Sequence, residues 1–434
     1  MRNALQALLS YLARAVIHRQ RPFIVGITGS VGKTSAKDAI RAVLAVERSV
    51  RAAPKNYNNE IGFPIAIIGG HAPGRSPWRW VSAIGRGIGL AVTRTLRYPE
   101  ALVLEYGADH PGDLTVLTRI ASPSVGVITA VGPAHTEYFR TVERVIAEKR
   151  RLIVALPRDG VAVLNRDDEN VSAMRDRTHA RVMTYGFHAE SDVRGAEYQV
   201  TYASPPAPNT SDLRMVPTGI AFKVVAHGST VPVHLLGCLG RGHASSALAA
   251  VAVGTALGMH LVEIAHALAA YDPPPGRMRI LGGVKRTILI DDSYNSSPLA
   301  VAVAVEALTE LQGGRRIAVL GDMLELGPLT EHAHQHVGEL VASRTFEYLV
   351  TVGEASRSTA AGARAAGMPA DRVLEFRTAP EAARYVQDLL KPGDVILVKG
   401  SQGMRMERVV KELMAEPLRA KELLCRQDDE WLRK

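Results

Sequence analysis

IVGITGSVGKTS, residues 24–35, sets a glycine-rich loop directly after an apolar run and before a helical pattern. In α/β proteins a loop between strand and helix can bind phosphate through backbone N–H groups and the positive helix N-terminus. The usual form, G-x-x-x-x-G-K-[ST], needs a glycine five positions before Gly32, and Ile27 stands there. The stretch therefore predicts a shortened phosphate-binding loop, from Thr28 to Thr34.

Two side chains of this loop suit a nucleoside triphosphate. We expect the Lys33 ammonium to reach the β- and γ-phosphates and the Thr34 hydroxyl to bind Mg²⁺. The alternative is a plain glycine turn between strand and helix. A Gly-Lys-Thr sequence in that place argues against the alternative, so the loop predicts a nucleotide site.

The composition of the chain is that of a globular protein with room for two or three domains in its 434 residues. The net charge is +9, but no basic run is interleaved with aromatic residues, which argues against nucleic-acid binding. A positive surface also suits anionic small molecules. Cys238 and Cys425 are too few for a disulfide framework or a metal cluster, which fits a reducing cytoplasm.

Alternating strand and helix patterns predict an α/β fold. We expect an amphipathic N-terminal helix in residues 1–22 and a central ATP-binding domain with a mostly parallel sheet in residues 23–275. A C-terminal Rossmann-like domain is expected in residues 276–434, after the proline-rich stretch YDPPPGR at 271–277. Short alternating runs in residues 192–236 predict an antiparallel addition at the sheet edge. No apolar run approaches the ~18 residues of a spanning helix.

Three further residues follow the loop at places where parallel sheets bind ligands. Glu105 ends a predicted strand, and His135 lies in a loop just after the next one. Lys149 follows on a predicted helix. Each alone could be a surface glutamate, a satisfied histidine or a solvated lysine. Together, in this order after a phosphate loop, the three residues indicate one shared site rather than three unrelated side chains.

Several blocks of the sequence together resemble the Mur ligase family, the ATP-dependent amide-forming enzymes of peptidoglycan synthesis. The resemblance runs from about residue 23 to residue 415. The blocks that carry it are TGSVGKT (28–34), NYNNEIGFP (56–64), EYGADHPGD (105–113), GPAH (132–135), DDSYNSSP (291–298), LGDMLELG (320–327) and VKGSQGMRME (398–407).

The resemblance implies a role for individual positions. The residues implied to bind ATP are Thr28, Gly29, Ser30, Val31, Gly32, Lys33, Thr34, Ser35, Arg277 and Asp292. The implied catalytic residues are Lys33, Glu105, His135 and Lys149. The implied Mg²⁺ sites use Thr34 and Glu105 for one ion and His135 with a carbamylated Lys149 for a second. The implied substrate-binding residues are Asn58, Asn59, Tyr294, Asn295, Lys399, Gly400 and Ser401.

The activity that the resemblance implies is amide formation through an acyl phosphate. The second-half blocks are most similar to the branch that adds D-Ala-D-Ala to a UDP-N-acetylmuramoyl-tripeptide. A Mur-type ligase acting on a different carboxylate, as in polyglutamate- or cofactor-forming relatives, is the alternative. A nucleotide-binding regulatory protein without turnover is a third reading, against which the complete set of catalytic positions argues. We expect a cytoplasmic monomer that acts on small molecules.

Three places depart from the family pattern. The loop begins at Thr28, so the family's N-terminal domain for the uridine nucleotide is expected to be absent. Ala244 and Ser246 replace two asparagines, and residues 72–100 form an extra stretch. This stretch and the N-terminal helix are each expected to be apolar on one side and basic elsewhere. They could pack on each other and the sheet, serve the UDP-sugar end of the substrate, or contact an anionic membrane surface.

Overall fold

The computed structural model describes residues 2–53, 57, 59–70, 74, 76–133, 136–203 and 216–433. The chain divides into two compact units. The first unit consists of Met1–Ala196, Lys223–Val233 and Ser245–Tyr271, and the second of Glu197–Phe222, His234–Ala244 and Asp272–Lys434. The predicted boundary near residue 275 stays a prediction.

The first unit contains six neighbouring parallel strands. They are β1 (Phe23–Thr28), β2 (Val50–Ala52), β3 (Ala101–Glu105), β4 (Val125–Ile128), β5 (Val161–Asn165) and β6 (Arg181–Gly186). Four of them, β1, β3, β4 and β5, match strands that the sequence predicts. Its helices are α1 (Arg2–Gln20), α2 (Lys33–Leu44), α3 (Gly62–Ile68), α4 (Pro77–Val92), α5 (Asp113–Ile120), α6 (Thr136–Phe139), α7 (Val142–Val154) and α8 (Glu169–Ser172). Continuous apolar strands such as β3 and β4 are buried along their whole length, as expected where both faces of a sheet are covered.

Three longer strands and two helices follow. They are β7 (Val193–Tyr202), β8 (Pro217–Ala226), β9 (Ser229–Leu236), α9 (Arg241–Ala256) and α10 (Leu261–Leu268). The large sheet has the order β2-β3-β1-β4-β5-β6-β7-β8-β9, and residues of β7, β8 and β9 belong to both units. His227 and Gly228 both have positive φ and join β8 to β9, as in a tight hairpin. β7 nevertheless pairs in parallel with β6, so the predicted antiparallel addition begins only beyond it.

The register of the sheet puts the phosphate loop between two neighbouring strand ends. β1 lies between β3 and β4 and is parallel to both. Ile27 pairs with Glu105 on one side, and Thr28 pairs with Ile128 on the other. The carboxyl ends of the three strands therefore meet at one edge, where open parallel sheets bind their ligands.

Helices α1 and α4 pack together on the first unit. Leu9, Leu12 and Val16 of α1 are buried in the core. A Cβ at Gly87 of α4 would stand 3.4 Å from Leu12, so the two helices approach closely there. Gln20 fixes the end of α4, because its side-chain nitrogen donates to the carbonyls of Leu90 (2.5 Å) and Thr93 (2.7 Å).

The second unit contains a separate sheet. Its strands are β10 (Arg279–Gly283), β11 (Thr287–Asp292), β12 (Arg316–Gly321), β13 (Tyr348–Val352), β14 (Val373–Phe376) and β15 (Val395–Lys399). Its helices are α11 (Pro298–Thr309), α12 (Thr330–Ala342), α13 (Ser356–Ala365), α14 (Ala379–Leu389), α15 (Glu407–Leu413), α16 (Ala420–Leu423) and α17 (Asp429–Leu432). The sheet order is β10-β11-β15-β12-β13-β14, with only β10 antiparallel to its neighbour. The Rossmann-like pattern, and with it the predicted α/β fold class, is confirmed.

Short 3-10 helices connect several of these elements. They are Arg175–Arg177, Val284–Arg286, Gly327–Leu329, Ala370–Arg372, Gln402–Met404 and Pro417–Arg419. Residues 271–278 form neither helix nor strand, as their prolines predict. None of the helices described is both long and apolar enough to cross a membrane.

Candidate active site

The loop after β1 has the backbone that a phosphate cradle needs. Gly32 has φ +89° and precedes the first residue of α2. Gly29 has φ +151°, and a Cβ there would stand 2.0 Å from the Thr129 hydroxyl oxygen. Both positions therefore require glycine, for conformation at Gly32 and for space at Gly29. The loop leads into a twelve-residue helix, whose N-terminal N–H groups favour an anion.

The segment after β4 holds this loop in place. The Ser30 amide donates to the Ala130 carbonyl at 2.6 Å, and the Thr129 hydroxyl donates to the Val31 carbonyl at 2.6 Å. The Ser30 hydroxyl donates to the Gly132 carbonyl at 3.0 Å. The segment after the neighbouring strand β4 thus fixes the loop, which prearranges it for a ligand.

Lys33 lies folded over the loop. Its Nζ donates to the Gly29 carbonyl at 2.6 Å and approaches the Ser30 carbonyl at 3.4 Å. A phosphate bound in the loop could take over these interactions, since an ammonium bonds more strongly to an anion than to a neutral carbonyl. The Lys33 ammonium therefore already lies at the loop to which the sequence predicts that the β- and γ-phosphates bind.

Glu105 is a buried carboxylate beside the loop, with 2% of its surface exposed. Its Oε2 is 3.5 Å from the Thr34 hydroxyl. Its Oε1 is 3.3 Å from Lys37 Nζ but accepts no hydrogen bond from any residue that the structure describes. A buried carboxylate oxygen without a hydrogen bond is costly unless a cation or donor completes it.

A divalent cation fits this position. Carboxylate and hydroxyl oxygens are the ligands that Mg²⁺ prefers, and Mg²⁺ usually takes one or two protein ligands besides phosphate and water. Thr34 and Glu105 supply that pair next to a phosphate loop. No group of three or more His, Cys, Asp and Glu side chains suited to a metal occurs among the described residues. A bound nucleotide would therefore have to complete the coordination.

Lys149 on α7 is buried in the same unit, with 2% of its surface exposed. Burial, together with the positive charge of Lys33, lowers the pKa of Lys149 to about 7. Asp109, Glu148 and Asp113 oppose that shift. The lysine is therefore held close to its neutral form near neutral pH, where an amine is nucleophilic.

Two of the predicted residues, His135 and Asn58, lie outside the described part of the chain. Asn59 is exposed, and its side-chain oxygen accepts from the Gly62 amide at 2.8 Å. Asn59 thus shapes the start of α3. Ser35 is buried on the first turn of α2. The predicted roles of these four residues stay predictions.

The second unit brings together predicted residues of the strands β11 and β15. β11 and β15 are neighbours, and Asp292 pairs in register with Lys399. Lys399 Nζ donates to Asp292 Oδ2 at 2.6 Å and to the Asn295 carbonyl at 2.9 Å. Both side chains are buried. Burial lowers the pKa of Lys399, and the Asp292 charge opposes that shift.

The neighbouring Asp291 organises the backbone around this pair. Its carboxylate accepts from the Ser293 hydroxyl (2.6 Å), the Ser293 amide (3.1 Å) and the Gly276 amide (3.1 Å). Asp291 is fully buried, and burial raises its pKa to about 6. It ties the turn before Arg277 to the loop that carries Tyr294.

Arg277 lies over the Tyr294 ring, with 4.3 Å between the guanidinium carbon and the ring centroid. Its Nε is buried and has no hydrogen-bond partner within the part of the chain that the structure describes. His243 Nε2 contacts the Arg277 carbonyl at 2.7 Å. Burial lowers the pKa of His243 to about 4, so this ring is neutral. An unsatisfied arginine N–H suits a phosphate or carboxylate oxygen.

The last two predicted residues follow β15. A Cβ on Gly400 would stand 2.6 Å from Met406, so this backbone is closely packed. The Ser401 amide donates to the Asp322 carbonyl at 3.0 Å, and the Ser401 hydroxyl accepts from the Leu324 amide at 2.9 Å. Ser401 therefore links two strand-end loops of the second sheet.

Sequence reasoning missed four residues that hold these groups: Lys37, Asp291, His243 and Arg426. Lys37 stands one helical turn after Lys33, a spacing that could have placed it beside Glu105. Arg426 is 133 residues from Ser293 in sequence, yet its Nη1 donates to the Ser293 carbonyl at 3.2 Å. No local pattern could have found that contact.

Family models match two parts of the chain. The Mur ligase middle domain matches residues 87–254, and the Mur ligase glutamate ligase domain matches residues 276–402. The chain belongs to the Mur ligase family.

Individual relatives within that family carry a more specific name. The UDP-N-acetylmuramoyl-tripeptide–D-alanyl-D-alanine ligase of Mycobacterium leprae is 32% identical over 420 residues, which cover 91% of this chain and 74% of that protein. The Bacillus subtilis enzyme of the same name is 28% identical over 94% of this chain and 80% of its own length. The crystal structure of MurF ligase from Thermotoga maritima in complex with ADP has a TM-score of 0.76 and 26% identity, covering 94% of this chain and 83% of that one.

Proposed function

We propose that this protein is an ATP-dependent ligase that joins D-Ala-D-Ala to a UDP-N-acetylmuramoyl-tripeptide. One observation carries the proposal: a phosphate loop with Lys33 and Thr34 lies beside the buried, incompletely bonded Glu105. Relatives that match more than nine-tenths of the chain are named for this reaction. The solved relative with ADP supports ATP as the phosphoryl donor.

The proposed reaction has two steps. An oxygen of the tripeptide carboxylate attacks the γ-phosphorus of ATP, the bond to the β-phosphate oxygen breaks, and ADP leaves. The D-Ala-D-Ala amine then attacks the carbonyl carbon of this acyl phosphate and loses a proton. The carbon–oxygen bond to phosphate breaks, which gives the amide and inorganic phosphate.

The residues of the first unit serve the phosphoryl transfer. Backbone N–H groups of the loop and the start of α2 bind phosphate oxygens, and Lys33 neutralises the charge that grows on the transferred group. Thr34 and Glu105 would hold Mg²⁺, which would offset charge on the β- and γ-phosphates. His135 remains our proposed ligand for a second ion on sequence grounds alone.

Lys149 is proposed to carry a carbamate. A lysine reacts with CO₂ only as the neutral amine, and burial lowers the pKa of Lys149 to about 7. The nitrogen of the neutral amine bonds to the CO₂ carbon and releases a proton, which leaves a carbamate anion able to support a metal. Lys149→Ala should be inactive and should regain part of its activity with short carboxylic acids. Full activity without rescue contradicts this proposal.

The second unit is proposed to hold the amine substrate and part of the nucleotide. The free Nε–H of Arg277 and the carboxylate of Asp292 suit nucleotide contacts. Lys399, Gly400 and Ser401 remain the proposed positions for D-Ala-D-Ala. Tyr294, Asn295, Asn58 and Asn59 remain proposed substrate-binding positions.

A coupled assay tests the proposed function. Phosphate release should require ATP, Mg²⁺, UDP-N-acetylmuramoyl-tripeptide and D-Ala-D-Ala together, and mass spectrometry should find the pentapeptide product. Folate with glutamate, supplied instead, tests the alternative of a different carboxylate. Turnover with that pair alone favours the alternative, and no turnover with any acid favours a regulatory nucleotide-binding protein.

The substrates of the proposed reaction indicate where in the cell it takes place. ATP and a UDP-linked precursor are both available in the cytoplasm, so we propose that location. We also propose that the protein is a monomer. Sedimentation velocity tests the oligomeric state.

A further inference from the structure

Helix α4 leaves a row of large apolar side chains in solvent. Trp78 is 82% exposed, Val81 61%, Ile88 51% and Val92 68%, and Leu96 just beyond the helix is fully exposed. Positions 78, 81, 88 and 92 fall on one side of an α-helix, because they are spaced by about three to four residues or multiples of that. We call these five residues the α4 surface.

The opposite side of α4 is already packed. Trp80, Ile84 and Leu90 pack against the core of the first unit, and Gly87 faces Leu12 and Ile68. The sequence predicts a single apolar side for residues 78–92, and the structure shows apolar residues on two. The packing of the inner side explains why α4 lies against the core of the first unit. The outer side therefore needs another explanation, since soluble monomers seldom expose a contiguous apolar patch of this kind.

The charged residues of α4 and of α1 have one sign. Residues 76–99 contain Arg79, Arg86, Arg94 and Arg97 and no aspartate or glutamate. Residues 2–21 contain four more arginines and no acidic residue. Arg79, Arg94 and Arg97 are exposed, as are Arg14 and Arg19 on α1. An apolar row on a helix whose charged residues are all cations is complementary to an apolar layer bordered by anions.

We propose that the α4 surface binds the headgroup region of an anionic phospholipid bilayer. The apolar side chains enter the boundary between headgroups and acyl chains, and the arginines contact lipid phosphates. Trp78 suits this boundary, since its ring is apolar and its N–H is polar. Helices with one apolar and one basic side lie in the plane of a membrane in this way.

The charges also distinguish a bilayer from a second copy of the chain. A symmetric dimer through the α4 surface would bring the arginines of both copies close together, and residues 76–99 contain no acidic residue to offset them. An anionic membrane instead attracts each basic residue near its surface. Contacts of Gln20 with the Leu90 and Thr93 carbonyls hold the last turn of α4 against α1, which keeps the surface in place.

Vesicle co-sedimentation of the full chain tests the proposal. Wild-type protein should bind vesicles of phosphatidylcholine with phosphatidylglycerol and should not bind phosphatidylcholine alone. Binding should weaken as salt rises, because exposed charges are screened. The variant Trp78→Ser/Ile88→Ser should lose binding by about tenfold or more, since two large apolar groups no longer enter the membrane.

Matched control variants test whether binding depends on the α4 surface rather than on any exposed apolar residue or any exposed arginine. Val262→Ser/Leu418→Ser removes two exposed apolar residues elsewhere and should bind as wild type does. Arg94→Gln/Arg97→Gln should weaken binding to anionic vesicles, whereas Arg158→Gln/Arg384→Gln, at exposed positions elsewhere, should not. Circular dichroism checks that each variant is folded.

Each remaining outcome overturns the proposal. Equal binding to neutral and anionic vesicles rules out the charge complementarity. A concentration-dependent dimer that Trp78→Ser/Ile88→Ser abolishes, without vesicle binding, assigns the α4 surface to a second copy. A monomer that binds neither kind of vesicle leaves the surface without a lipid role.

Discussion

Lys399 and Asp292 form a buried ion pair across neighbouring strands of the second sheet, with 2.6 Å between Nζ and Oδ2. The lysine also donates to the Asn295 carbonyl, so the pair fixes the loop after β11. The sequence resemblance assigns these two residues to different ligands, Asp292 to the nucleotide and Lys399 to the amine. Their contact means that a change at either position also alters the other.

A double-mutant cycle should reveal that dependence. We expect Lys399→Met to lower the free energy of unfolding by about 3 kcal/mol, because Asp292 is left as a buried, unpaired carboxylate. Lys399→Met combined with Asp292→Asn should cost less than the two single changes added together. Urea unfolding measures all four proteins. Strictly additive effects would mean that the pair makes no net contribution.

The phosphate loop makes a kinetic prediction. Lys33→Met should lower kcat by about a hundredfold or more, as happens when one preorganised charge-stabilising donor is lost. Thermal stability should change much less than kcat, because the bonds of Lys33 Nζ to the Gly29 and Ser30 carbonyls lie within one loop. Lys285→Met is the matched control, since that lysine also donates to a backbone carbonyl, of Gln387 at 2.7 Å. Near-normal turnover in Lys33→Met would remove the loop from the mechanism.

Glu105 makes a metal-dependent prediction. Glu105→Gln should raise the Mg²⁺ concentration needed for half-maximal activity by about tenfold or more, because an amide is a weaker ligand for a hard cation. Asp38→Asn is the control. Both carboxylates lie within 4 Å of Lys37, at 3.3 Å for Glu105 and 3.7 Å for Asp38, but only Glu105 reaches Thr34. An unchanged Mg²⁺ requirement in Glu105→Gln would exclude it as a ligand.

Lys149 makes a prediction about stability and pH. Burial lowers its pKa from 10.5 to about 7, so between these values the unfolded chain binds more protons than the folded chain. Stability therefore rises with pH across that window. Lys149→Met removes the cost of burying the amine. The free energy of unfolding of this variant should therefore exceed that of the wild type most at pH 7 and below, and the difference should vanish near pH 10.5.

Unfolding without CO₂ or Mg²⁺ measures this difference for a range of pH values. Lys421→Met, at an exposed helical lysine, should keep the pH dependence of the wild type. A constant difference between Lys149→Met and wild type from pH 6 to 10 would contradict the lowered pKa.

The sequence predicted the features that depend on residues close together along the chain. Apolar runs predicted an alternation of strands and helices, although β2, β6, β10 and β14 were not among the predicted strands, and the Gly-Lys-Thr step predicted the loop and the start of α2. It could not show that Asp292 and Lys399 meet, because that contact depends on β15 inserting between β11 and β12. It also assigned α4 one apolar side, since helical spacing alone does not show which side packs.

Sequence reasoning missed Arg426 for a similar reason, because its contacts join parts of the chain that are far apart in sequence. These contacts are the basis of the last prediction. The Arg426 guanidinium is buried and donates to Glu407 at 2.9 Å and to the Ser293 carbonyl at 3.2 Å, and it also contacts the Tyr294 carbonyl. The residue thus fastens the end of the chain to the loop after β11. Glu407 is itself fully buried, so it depends on its arginine partners for charge balance.

Arg426→Met should lower the free energy of unfolding by about 3 kcal/mol, because it leaves Glu407 with one charge partner fewer and two loop carbonyls without a donor. Arg419→Met is the control. Arg419 also pairs with two carboxylates, Glu416 at 3.0 Å and Glu422 at 2.8 Å, but all three are exposed, so its loss should hardly change stability. Hydrogen exchange at residues 293–295 should accelerate in Arg426→Met and remain slow in Arg419→Met. Equal effects of the two changes would show that Arg426 acts only as a surface charge.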